Sequence, residues 1–262
     1  MLSLSAVSVH FGGLHVLEDA SLQVPERGIF GLIGPNGAGK TTVFNLITGL
    51  LEPSSGHVEF SGKRLNGLTP HRIARLGIAR TFQNIRLFKE MTVLENVLVA
   101  LGGQKNSYGL AAALLALPGY RRAEDRDREV ARELLVKMGL IENEERAAET
   151  LSYGQQRRLE IARALATAPK LLLLDEPAAG MNSLEKKELV DRIVDLNASG
   201  LTILIIDHDM GVIMGLCHEI AVLNFGKVIA HGQPGQIRTD PAVIEAYLGR
   251  DEEPISDPQG PR

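Results

Sequence analysis

Two stretches carry residues suited to holding phosphate. The first, GPNGAGKT at 34–41, fits the spacing G-x-x-x-x-G-K-[ST]. It follows a run that reads as a strand and opens one that reads as a helix, the context this spacing needs. Gly34, Gly37 and Gly39 let successive N–H groups turn inward, so that Asn36, Gly37, Ala38 and Gly39 form a cradle around phosphate oxygens. Lys40 is placed to set its ammonium between the β- and γ-phosphates. Thr41 can offer its hydroxyl to Mg²⁺, and Thr42 can add one toward the α-phosphate. The ligand that fits is a nucleoside triphosphate. The second stretch is LSYGQQRRLE at 151–160, where a Ser and a Gly open a helix with two arginines in its first turns. Free amides at a helix start make an anion site, although Ser152 also suits a plain N-cap.

A hydrolytic site needs more than a cradle. LLLLDEP places Asp175 at the end of a buried apolar strand, where a carboxylate calls for a cation partner and Mg²⁺ is a suitable one. Glu176 follows directly and can orient and polarise a water, which favours hydrolysis over mere nucleotide sensing. The alternative for Glu176 alone is an exposed carboxylate at a strand end. His208 ends another apolar run, LTILIIDHD, where α/β sites gather. The other histidines show no metal-ligand spacing. Cys217 is the only cysteine, which excludes an internal disulfide and suits a reducing compartment; beside Leu216 it reads as a small core residue.

Strands and helices must bring these groups together. LSLSAVSVHF, HVLEDASLQVP and GIFGLIG read as strands, KTTVFNLITGLL as a helix, GHVEFSGKRL as a hairpin turning near Gly62, and GIARTFQN as a short strand. From about 92 to 150 the chain turns helical, and RRAEDRDREVARELLVKMGL presents a charged, solvated face with Glu124 and Arg128 at i,i+4. Strand–helix alternation then returns through KLLLLDEP, SLEKKELVDRIVDLNASG, LTILIIDHD and the hairpin HEIAVLNFGKVIAHG. Near-continuous apolar strands alternating with helices predict a parallel sheet covered on both faces. The expected organisation is an α/β core from 1–83 and 151–235, a helical insertion at 84–150, and a C-terminal helix with a disordered acidic, Pro-rich tail over 236–262. The net charge of −4 argues against a nucleic-acid binder. The first residues lack a leader's pattern, and no window is long and apolar enough to span a bilayer.

LSYGQQRR separates this chain from other phosphate-loop enzymes. It resembles the signature L-S-G-G-Q of the ATP-binding-cassette (ABC) ATPases, and the other marks fall in order. Gln83 in RTFQN resembles the Q-loop, His208 the switch histidine, and Phe11, 29 positions before Lys40, an aromatic that stacks on adenine. A ring in the strand's own hydrophobic face is the other reading of Phe11; Val16 would pack beside it. The resemblance implies a P-loop NTPase fold with an ABC-type core and an inserted helical subdomain, binding ATP and Mg²⁺. It also implies ATP held between two cassettes arranged head to tail. Ser152 and Gly154 of one would then grip the γ-phosphate of ATP on the other, which accounts for a second anion grip. Gln83 would contact Mg²⁺ or the attacking water, Thr41 and Asp175 would complete the metal site, and His208 would bond the γ-phosphate. Two positions depart from the usual pattern: Tyr153 replaces the first signature glycine, and Asn182 in PAAGMNSLE replaces an aspartate.

ARTFQNIRLFKEMTVLENVLVA, DEPAAGMN, IIDHDM and AYLG are similar to one branch, the ATP-binding subunits of branched-chain amino-acid importers. GGQKNSYGLAAALLALPGYR at 102–121 is similar to an insertion in one of the two ATPase subunits of those importers. That branch implies a peripheral ATPase on the cytoplasmic face of the membrane, paired with a second cassette. It would touch the membrane only through transmembrane permease subunits docked near the Q-loop, and YGLAAALLAL would pack on the helical block or border that interface. The alternatives are a cassette serving another solute (urea, amides or lipopolysaccharide) and a soluble ABC ATPase acting on nucleic acid or ribosomes. The latter would more often show two cassettes, a coiled-coil insertion or a basic face.

Overall fold

The computed structural model describes residues 1–102 and 118–248. The chain opens with β1 (Leu2–Phe11), β2 (Leu14–Val24) and β3 (Ile29–Ile33), then α1 (Lys40–Ile47), β4 (Ser55–Phe60), β5 (Lys63–Arg64), α2 (Pro70–Arg75) and β6 (Ile78–Arg80). The helices α3 (Val93–Gly102), α4 (Pro118–Lys137) and α5 (Tyr153–Leu165) follow. The chain then runs through β7 (Leu171–Asp175), α6 (Ser183–Ala198), β8 (Thr202–Ile206) and α7 (Met210–Leu216). It closes with β9 (Glu219–Asn224), β10 (Lys227–Gly232), α8 (Pro234–Thr239) and α9 (Pro241–Leu248).

The strands form two sheets where one was expected. Six of them order as β10-β9-β3-β8-β7-β6, all parallel except the β9–β10 hairpin. The remaining four order as β2-β1-β4-β5, wholly antiparallel. The reason lies in the burial pattern. Residues of β3, β7 and β8 are buried throughout, as a strand covered on both faces requires. In β2 exposed residues are interspersed with buried Leu17, Ala20, Leu22 and Val24, so one face meets water.

The central strands divide their side chains between two cores with a period of two. Ile29, Ile33, Leu172, Leu174, Ile203 and Ile205 join the core that also takes Val93 and Val97 of α3 and Leu135 of α4. Phe30, Leu32, Leu171, Leu173, Leu204 and Ile206 join a second core, with α1 and the antiparallel sheet. The helical character expected for 92–150 is present in α3, α4 and two short 3₁₀ turns. Most of the apolar piece at 102–121 and the acidic tail lie outside the described residues. The short helix α2 was not expected, since Ile73 alone is buried in it and one apolar residue sets no period. Among the described residues no helix is long and apolar enough to cross a membrane.

Cys217 is a core residue, as its neighbours suggested. Its Sγ lies 3.0 Å from where a Cβ on Gly31 of β3 would sit, so the glycine makes room for it. Burial, and then the nearby Asp207 carboxylate, push the thiol up to about 12. A thiol reagent at neutral pH is therefore expected to leave the native protein unlabelled and to titrate one thiol per chain in denaturant. Rapid labelling of the native chain would show that this packing opens.

Candidate functional site

The parallel strands β3, β8 and β7 lie side by side, and their carboxyl ends share one edge. Ligands in open α/β sheets bind there. From β3 the chain enters the loop 34–39 and then α1. Gly34 (φ 149°) could not carry a side chain, because a Cβ would fall 2.0 Å from the Leu223 carbonyl oxygen. Gly39 (φ 106°) is closed in the same way by Leu17 and the Val16 carbonyl, so Val16 is brought against the loop. Lys40 Nζ donates to the Gly34 and Pro35 carbonyls at 2.6 and 2.9 Å, which holds the ammonium within the loop. Asn36, Gly37 and Thr41 face solvent. Loop amides, a cation and an exposed hydroxyl together suit a polyphosphate.

Glu176 stands at the centre of the neighbouring strand end. Its backbone adopts φ 46°, uncommon for a residue with a side chain and a feature that clusters at functional sites. Its N–H donates to the Ile206 carbonyl at 2.7 Å, which ties the end of β7 to that of β8. Gln83 Nε2 donates to Glu176 Oε2 at 3.0 Å, and His208 Nδ1 lies 3.8 Å from the same oxygen. The structure thus brings Gln83, Glu176 and His208 together from three separate segments, with His208 largely exposed.

Asp175 does have a cation partner, and it is one the sequence reading did not name. Arg80 Nη2 donates to Asp175 Oδ2 at 2.7 Å, both side chains being buried. Arg80 Nη1 donates to Asn45 Oδ1 at 2.8 Å, and the guanidinium lies near the Phe44 and Phe82 rings. Among the described residues no three His, Cys, Asp or Glu side chains form a metal cage. One carboxylate, Asp175, and the exposed Thr41 are the kind of sparse protein ligation that suits Mg²⁺, which takes its other ligands from phosphate and water.

Ser152 is the N-cap of α5: its Oγ accepts from the Gln155 N–H, and the Gln155 side chain accepts from the Ser152 N–H. The same Oγ donates to Glu185 Oε1 at 3.1 Å, and the Gly154 N–H donates to that oxygen at 3.3 Å. Asn182 caps α6, accepting from the Leu184 and Glu185 N–H groups at 3.0 Å. Asparagine caps as well as the aspartate it replaces. Tyr153 packs beside Gly180.

The two arginines in the first turns of α5 were given no role from the sequence, and the structure shows both paired internally. Arg158 pairs with Glu188, and Arg157 is wholly inaccessible to solvent. Arg157 Nη1 donates to the Phe82 carbonyl at 2.5 Å and to Glu160 Oε2 at 2.8 Å. Its Nη2 donates to the Gln83 carbonyl at 2.8 Å and the Glu176 carbonyl at 3.4 Å. The Phe82 N–H in turn donates to Glu160 Oε1 at 3.3 Å. One ion pair therefore anchors the backbone on either side of the Gln83–Glu176 contact. The available signal was that Arg157 and Glu160 fall in a helix with Leu159, Ile161 and Ala162, all buried.

His208 sits between two carboxylates. Asp207 accepts from the Ala178 and Asp209 N–H groups. Asp209 caps α7 and pairs with Lys186 Nζ at 2.5 Å. Bonding to Lys186, then to the Val212 and Gly211 N–H groups, holds the Asp209 carboxyl below its usual range. A depressed carboxyl contributes stability above its unfolded value and loses it as pH falls through the folded one. Asp209→Asn is expected to destabilise the chain at pH 7, with the gap from wild type closing on acidification through the carboxylate range. Urea titrations between pH 7 and 3 measure this, and a pH-independent gap would assign the loss to packing.

Phe11 ends β1 and is 53% exposed, so it is not a core side chain. At the opposite end of the chain burial pushes the Tyr247 phenol of α9 up, and the Gly34 backbone opposes the shift.

Comparison with known proteins gives the same assignment. A family model described as ABC transporter matches residues 17–179, and one described as branched-chain amino acid ATP-binding cassette transporter matches 227–253. The chain is 48% identical over 250 residues to the high-affinity branched-chain amino acid transport ATP-binding protein LivG of Salmonella typhimurium, covering 95% of this chain and 98% of that one. It superposes with TM-score 0.82 and 33% identity on the crystal structure of a nucleotide-free ATP-binding cassette from an ABC transporter, covering 95% and 99% of the two chains. With a dimeric post-hydrolysis cassette, MJ0796 bound to ADP and Pi, the TM-score is 0.74 at 27% identity, covering 89% and 99%. The chain belongs to the ABC transporter family, as one of its ATPase cassettes.

Proposed function

We propose that the chain is the ATP-hydrolysing subunit that energises a membrane importer of branched-chain or related amino acids. The observation that carries hydrolysis is Glu176, set by a left-handed backbone at a strand end between Gln83 and His208. The importer assignment draws on LivG-type relatives and on the match over 227–253.

The ATP-binding core comprises 1–83 and 151–235, with 84–150 as a helical insertion and 236–262 as a C-terminal extension. The loop 36–39 and Lys40 hold the triphosphate, with Thr42 toward the α-phosphate. Phe11 stacks on adenine with Val16 beside it. Thr41, Asp175 and Gln83 would hold Mg²⁺, which when bound supplies charge neutralisation at the β- and γ-phosphates. Glu176 orients the attacking water and takes its proton, while Gln83 and His208 fix the carboxylate's direction. Ser152 and Gly154 close on the γ-phosphate of ATP held by a second cassette. ATP thereby favours the paired state, and its hydrolysis releases that state. The subunit works on the cytoplasmic face of the membrane, docked on permeases through the Q-loop side of the insertion, where Phe88 and Met91 are exposed.

A pull-down tests this. Tagged Glu176→Gln chain, trapped with Mg-ATP in detergent extracts, is expected to bring down hydrophobic permeases and a second cassette, identified by mass spectrometry. Recovery of ribosomal or DNA-bound proteins would remove the transport assignment and leave the ATPase.

A further inference from the structure

The two donors assigned to a partner's γ-phosphate already hold an anion. Glu185 Oε1 accepts from Ser152 Oγ at 3.1 Å and from the Gly154 N–H at 3.3 Å. Its other oxygen, Oε2, accepts from the Asn182 N–H at 3.3 Å, as part of the capping box of α6. The approach needs the glycine: a Cβ at 154 would fall 2.7 Å from Oε1. A carboxylate and a phosphate oxygen are both acceptors and both negative, so they cannot share these donors.

We propose that Glu185 is a resident anion of the signature. Its carboxylate occupies Ser152 and Gly154 in the unpaired cassette and is exchanged for the γ-phosphate of ATP on the partner. This rests on the reading of Ser152 and Gly154 as the grip for that phosphate. Two consequences follow from the bonds. The signature donors stay satisfied and ordered while the cassettes are apart. The exchange also opposes pairing, because hydrogen bonds to a charged group must be given up before the new ones form. Glu185 is thus a positioning residue whose second oxygen links the signature to the Asn182 turn, so that occupancy of the grip is felt at the start of α6.

The test measures the ATP concentration at which Glu176→Gln chains associate, with themselves or with the companion cassette recovered alongside them, by light scattering. Glu185→Gln is added to that background; it keeps the side chain's shape and removes its charge, and its single acceptor oxygen can serve the signature donors or the Asn182 N–H but not both. The midpoint is expected to fall about three- to tenfold, since a neutral acceptor holds the donors less strongly. Asn182→Ala, which loosens the same helix start and leaves Oε1 in place, is expected not to lower it. A midpoint unchanged or raised by Glu185→Gln overturns the proposal, and so does an equal fall with Asn182→Ala. If the Glu176→Gln parent binds ATP without associating in either pairing, the grip reading itself fails and takes the proposal with it.

Discussion

Glu176→Gln is expected to slow ATP turnover about 10²–10⁴-fold, the usual worth of a positioned general base. That corresponds to about 3–5 kcal/mol of transition-state stabilisation. ATP affinity should stay within about twofold of wild type, because the phosphate ligands proposed above are Lys40 and the loop amides and not this carboxylate. The substitution preserves shape, and the amide can still accept from Gln83 Nε2 and face His208. A drop in the rate constant without a change in binding therefore reports the loss of a proton acceptor. Single-turnover hydrolysis alongside equilibrium binding of a fluorescent ATP analogue separates the two quantities. Turnover as fast as wild type would remove Glu176 from the chemistry.

The second large effect concerns a residue that need not touch ATP. Arg157→Met is expected to cost about 3–5 kcal/mol of stability, because Glu160 is left as a buried charge without its partner. Replacing both, Arg157→Met with Glu160→Leu, should recover most of that loss, since an apolar pair of similar volume tolerates the interior well. Turnover should not recover with it. The carbonyls of Phe82, Gln83 and Glu176 lose their shared donor in either variant, and the Gln83–Glu176 contact loses its fixed geometry. Denaturant midpoints and turnover, read on both variants, settle the point. Full recovery of activity in the stable double variant would reduce Arg157 to a packing residue.

How much could be read from the chain depended on the kind of interaction. The phosphate loop was legible because its spacing encodes backbone shape: positive φ at Gly34 and Gly39 is a local property. The central strands were legible because runs such as LLLLD have few other uses. The division into two sheets was not, since partner choice among β1, β2 and β4 depends on pairings such as Leu2 with Phe60 that no local window contains. The same limit applied to the site. Asp175 visibly required a cation, but Arg80 lies 95 positions earlier on a different strand. The two signature arginines carried no assignment, because their partners, Glu160 and Glu188, are on α5 itself and on α6. Charge type and spacing were visible in each case; burial, which decides between a ligand grip and an internal brace, was not.

The position of β3 in its sheet has a bearing on how the molecule is made. This strand delivers the phosphate loop, yet both its neighbours, β8 and β9, come from the last quarter of the chain. The loop residues are synthesised early and have no sheet to complete until Asn224 has been added. At about 5–20 residues per second, the roughly 180 residues between Thr41 and that point take on the order of 10–40 s to translate. Throughout that interval a nascent chain carries the whole phosphate-binding sequence without the walls that shape it. A nucleotide at this loop is therefore expected to stabilise the chain only once β8 and β9 have been added.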